Sequence, residues 1–82
     1  MYLHVGNNRI LRKNSVIGIF DMDTATVSPH TRKFLTTLQR QMCLDLVGRE
    51  IPKAFVLYDD NGQSRACLSP ISVSALHGRI ND

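Results

Sequence analysis

The chain has 82 residues, a net charge of +3 and a pI near 9.2; with 43% hydrophobic and 21% charged residues it is too apolar for a disordered chain and long enough for one domain, 1–82. A domain of this size buries only about 60% of its unfolded surface, so self-association is a natural way to add to a thin core. Eight of the ten basic residues precede residue 54, against four acids there, a mild lean towards a polyanionic partner.

Tyr2 to Val5 reads as a short strand, and Gly6-Asn7-Asn8 as a turn, because Gly and Asn tolerate positive φ. Ile10-Leu11 begins a second strand. Ser15 to Asp21, SVIGIFD, is apolar at odd and even positions alike, so it is expected to be the central strand of a sheet covered on both sides. Asp21 to Val27 reads as a polar connection. Ser28 is a good N-cap and Pro29 suits the first position of a helix. Phe34, Leu35, Leu38 and Met42 form its apolar stripe, and the helix should end near Met42 or Cys43. Leu44 to Ile51 is expected to hold a short strand and a turn at Gly48. Lys53 to Tyr58 is a strong strand, and Asp59-Asp60-Asn61-Gly62 turns it into a returning strand from Ser64 to Leu68. Ser69-Pro70 repeats the cap-and-proline signal and predicts a last helix. Its inward stripe is Val73, Leu76 and Ile80, with Leu68 packed against Val73 as a staple. The expected fold is α+β: a twisted, mostly antiparallel sheet of about five to six strands with two helices.

The segment IFDMDTATV resembles the first motif of haloacid-dehalogenase-type phosphatases, with Asp21 as nucleophile and Asp23 as acid/base. That chemistry needs a Rossmann-like core about twice this length and later Lys and acidic motifs, so strand-end carboxylates are the better reading. His4, His30 and His77 share no ligand spacing, and Cys43 and Cys67 fit no C-x-x-C pattern. Both cysteines sit among apolar residues and read as reduced thiols in a cytosolic protein. The start, MYLHVGNNR, lacks a signal-peptide core, and no apolar run reaches the length of a bilayer. The chain is therefore expected to be no enzyme, with no cofactor, no metal, no small-molecule substrate and no membrane contact.

The basic residues carry the remaining signal. Arg9, Arg12 and Lys13 gather near one turn, and Arg49 and Lys53 flank another; such loops suit salt-dependent contact with phosphates. Phe20, Phe34 and Phe55 read as buried, which disfavours a single-strand binder that stacks bases.

The segments MYLHVG, SVIGIFDMD, VSPHTRKFL and KAFVLYDD…SRACLSPISVSALHGRI resemble, in order, spacing and total length, the Rem family of small bacterial regulators of extracellular-matrix genes, and are most similar to its RemB branch. The resemblance implies a single Rem-like regulatory domain, a DNA-binding homo-oligomer that assembles into rings, and control of biofilm genes. It implies backbone contacts to double-stranded DNA from basic residues of successive protomers. In RemA-type members a Gly is followed by consecutive Arg residues before a strand; here that place reads Gly48-Arg49-Glu50-Ile51-Pro52-Lys53. The RemA-type Arg before the central strand has no counterpart at Ser15, although Arg12 and Lys13 are close. Arg9, Arg12, Lys13, Arg49 and Lys53 are the expected DNA-binding set. The competing reading is a non-catalytic oligomeric scaffold or protein-interaction module with little DNA affinity.

Overall fold

A computed structural model describes residues 1–80. Its first element is a hairpin of β1 (Tyr2–Gly6) and β2 (Arg9–Arg12). Asn7 and Asn8 both adopt positive φ, 49° and 63°, which gives the turn the twist that antiparallel strands need. Alternation does the rest: Leu3, Val5 and Leu11 are buried, while Tyr2 and His4 face outward.

After a 3-10 turn at Lys13–Ser15 come β3 (Val16–Asp21), a one-turn helix α1 (Met22–Ala25) and a long helix α2 (Pro29–Arg40). Then follow β4 (Leu44–Leu46), β5 (Ala54–Asp60), β6 (Gln63–Ser69) and a last helix α3 (Val73–Ile80). The strands after the first hairpin form a separate four-stranded sheet in the order β3-β5-β6-β4. Its pairings are antiparallel except β4 with β6, which is parallel. The class is α+β, with the six strands divided between two sheets. The β5–β6 turn places Asn61 and Gly62 at φ 52° and 88°, the Asn-Gly geometry expected there.

The larger sheet separates two apolar clusters. One face carries Val56, Tyr58 and Cys67, covered by Leu3, Val5 and Leu11 of the hairpin and by Leu76 of α3. The other carries Phe55 and Ala66, covered by Leu35 and Leu38 of α2, with Cys43 beside them. The two thiols thus lie on opposite faces, both buried and unbonded.

The strand at 16–21 is an edge strand and not the central one; β5 and β6 hold the middle. Its two-sided apolar pattern has a different cause. Ile19 packs into the hairpin-side cluster, while Phe20 stacks on Phe55 across the sheet with ring centroids 4.8 Å apart. Gly18 is what admits that ring, since a Cβ there would lie 2.7 Å from it. Ile17 is squeezed out at a bulge, because Val16 pairs with Tyr58 and Gly18 with Leu57. It remains 59% exposed.

Helix α2 starts as expected, with Ser28 accepting from the Thr31 N–H and Pro29 in the first turn. It ends in a Schellman turn: the Met42 N–H bonds Gln39 O, and the Cys43 N–H bonds Leu38 O. Met42 therefore leaves the apolar stripe, takes φ 59° and points into solvent. The connection after Asp21 also holds a helix, because the Asp21 carboxylate caps α1 by accepting from the Thr24 N–H at 3.0 Å. Ser69 does not cap α3. Its hydroxyl donates to Val5 O at 2.6 Å and accepts from the Ile71 N–H, which ties the end of β6 to β1. The cap is Ser72, which accepts from the Ala75 N–H. Leu68 and Val73 pack in different clusters, so the staple expected between them does not form.

Candidate nucleic-acid interface

The five basic residues expected to meet DNA are not one patch. Strand β5 runs from Ala54 to Asp60, about 20 Å at the rise of a strand. Lys53 precedes its start, and Met22 N–H bonds Lys53 O, so Lys53 sits at the α1 end of the sheet. Arg49 is at that end too, in a hollow with Asn7, Gly48, Glu50 and Pro70. Arg12 lies at the other end, in a hollow lined by Asn14, Ser15, Tyr58, Asp59 and Asp60. A phosphate approaching Arg12 meets two carboxylates as well. Lys13 belongs to the 3-10 turn beside it.

Arg9 is engaged within the fold. One guanidinium nitrogen donates to Asp45 at 3.0 Å and to the Tyr58 hydroxyl at 3.1 Å. The hydrogen bond to Asp45 holds the guanidinium above its ordinary pKa, against the opposing pull of burial. Arg65 approaches the same Asp45 oxygen at 3.7 Å and Asp60 at 3.9 Å, and donates to Met42 O. Arg79 donates to His4 O at 3.0 Å. Three arginines are thus held by partners inside the chain.

Arg12, Arg32, Lys33, Arg40, Arg49 and Lys53 are exposed and have no ion pair among the described residues. Three of these six lie on α2, which sequence reasoning left out of the candidate set. The signal was present: residues 24–44 contain Arg32, Lys33 and Arg40 and not one Asp or Glu.

The aromatic residues also differ from expectation. Of the three phenylalanines only Phe55 is buried, while Phe20 and Phe34 are 41% and 40% exposed. With Ala25, His30 and Leu57 they line an open groove between α2 and the β3–β5 half of the sheet. Helix α2 packs mainly over β6 and β4, and that leaves this half only partly covered.

The remaining chemistry-bearing residues have structural surroundings. Asp21 caps α1, and Asp23 sits in the first turn of that helix, where a carboxylate suits the dipole. Among the described residues no three His, Cys, Asp or Glu side chains gather as a metal site, and no helix is long and apolar enough to cross a membrane. Compared with known proteins, the chain matches no family model and no curated sequence.

Proposed function

We propose that the chain is a cytoplasmic, ring-forming DNA-binding regulator of the Rem type that acts on extracellular-matrix genes and catalyses no reaction. The observation that carries this is the pairing of Arg49 and Lys53. Both are exposed, neither has an ion pair among the described residues, and they bracket one loop at one end of the sheet. This is the place where the Rem resemblance puts basic residues.

Self-assembly has separate support. Strands β3 and β4 are the two edges of the larger sheet, and edges carry unpaired backbone groups. Ile17, Phe20, Phe34, Leu46 and Ile51 are all exposed apolar side chains. A head-to-tail contact between unlike edges closes into a ring when the rotation allows it. A ring also multiplies a few phosphate contacts per subunit, and linked contacts raise avidity by roughly 10² or more.

The test is light scattering on a sizing column, with and without a short duplex, at low and moderate salt. A large assembly that takes up DNA at low salt and releases it at higher salt supports the proposal. An assembly indifferent to DNA supports the scaffold reading, and a monomer removes both. Replacing both residues (R49Q/K53Q) is expected to weaken binding without lowering the melting temperature. The slope of log affinity against log salt should fall by about 2, roughly 0.9 per phosphate contact.

A further inference from the structure

The chain carries ten basic and seven acidic residues. Helix α2 holds Arg32, Lys33 and Arg40 and no acid, so it has the whole formal excess of +3. The seven other basic residues are matched in number by the seven acids. Three of those seven, Arg9, Arg65 and Arg79, are held by side-chain or backbone partners in the fold. The Gly48–Lys53 loop gains less, because Glu50 stands between Arg49 and Lys53.

Geometry concentrates the charge on α2 further. Leu35 and Leu38 are the buried side of the helix. At 100° per residue, Lys33 and Arg40 point almost directly away from them, two turns apart, and Arg32 flanks this pair. All three are exposed. Thr36 and Thr37 between them turn their hydroxyls back to Arg32 O and Lys33 O, so they present no competing charge. Arg32 and Arg40 are about 12 Å apart along the axis, comparable with the width of a major groove. His30 and Phe34 line one groove with Phe20 and Phe55, which places the N-terminal half of α2 at the Lys53 end of the sheet. Arg49 lies at that end as well.

From this we infer that the outer face of α2 is the principal contact of the protein with the phosphodiester backbone of duplex DNA. The inference rests on the DNA-binding reading above and relocates its main surface from loop to helix. The binding is sequence-tolerant, since phosphate contacts set position and not base choice.

The experiment measures fluorescence anisotropy of a mixed-sequence duplex with the full chain across a salt series. The parent is compared with R32Q/K33Q/R40Q, with the charge-keeping R32K/K33R/R40K, and with N14D/N61D/Q63E. The last lowers net charge by the same three units around the β5–β6 turn, away from the Lys53 end. The expected result is a tenfold or greater loss at low salt for the Gln variant alone, with the salt slope lower by about 2 to 3. The charge-keeping variant should bind as the parent does, and thermal melting should confirm that all are folded. Equal losses in the Gln and Asp/Glu variants would mean that only net charge matters, and would overturn the inference. So would an unchanged slope in the Gln variant alongside a lowered one in R49Q/K53Q, which would leave the DNA-binding reading intact. Loss of binding to phosphatidylserine vesicles with duplex binding retained would assign the helix to a membrane surface and overturn it too. A parent that binds no duplex at any salt would remove both readings.

Discussion

The two faces of the four-stranded sheet are built on different terms. The hairpin side is closed: Leu3, Val5, Val56, Cys67 and Leu76 have little or no exposure, and Arg9, Asp45 and Tyr58 link the hairpin to the sheet at its margin. The α2 side is only half covered. Its helix lies over β6 and β4, and Phe20 and Phe34 remain two-fifths exposed over the rest. On the closed side Arg9 pairs with Asp45, while on the open side Arg32, Lys33 and Arg40 of α2 have no ion pair among the described residues. The tightly packed face and the open face are therefore opposite sides of one small sheet.

Matched truncations can break that contrast. Leu76→Ala, at a site of zero exposure, is expected to cost about 3–5 kcal/mol, and Leu35→Ala, at 8% exposure beside an open groove, about 2–3 kcal/mol. Denaturant titration of the two variants checks the order, and a reversed order would show that α2 is the better-packed face. The next effect depends on pH. Burial pushes the Cys67 thiol up to about 11 from an ordinary 9.0. The folded state holds this proton more tightly than the unfolded chain, so the contribution is complete below pH 9 and is lost as pH rises through 11. The loss is about 2–3 kcal/mol. Comparing the parent with Cys67→Ala at pH 8 and pH 11 isolates it from other groups; parallel pH curves would mean that the thiol is solvated. The smallest effect belongs to the α2 side. Met42 occupies a left-handed position that favours glycine, and its side chain is 82% exposed. Met42→Gly is expected to stabilise by about 0.5–1 kcal/mol in the same titration.

Much of the local structure could be read directly. Asn7-Asn8 and Asn61-Gly62 mark their turns because their backbones accept positive φ, and Ser28-Pro29 marks the start of α2 because a hydroxyl and a fixed φ suit that place. The Ser69-Pro70 pair carries the same signal and misleads. Its hydroxyl found Val5 O, 64 residues earlier, and no local pattern encodes such a partner. The candidate cations divide in the same way. Their number and the acid-free run through α2 are plain in the chain, whereas the engagement of Arg9 depends on Asp45, 36 residues later.

By itself, then, the amino-acid sequence determined the strands, the two longer helices, the Asn-Asn and Asn-Gly turns, the Ser28 cap, the α+β class and the charge carried by each segment, but neither the short helix α1 nor the cap of α3. These follow from backbone preferences and side-chain chemistry within a few residues. Only the tertiary structure decided that the 16–21 strand lies at an edge, which face stays open and which cations keep no partner among the described residues. Strand order and ion pairing join residues distant in the chain, and the packing of the whole domain selects among the neighbours that local preference leaves equally acceptable.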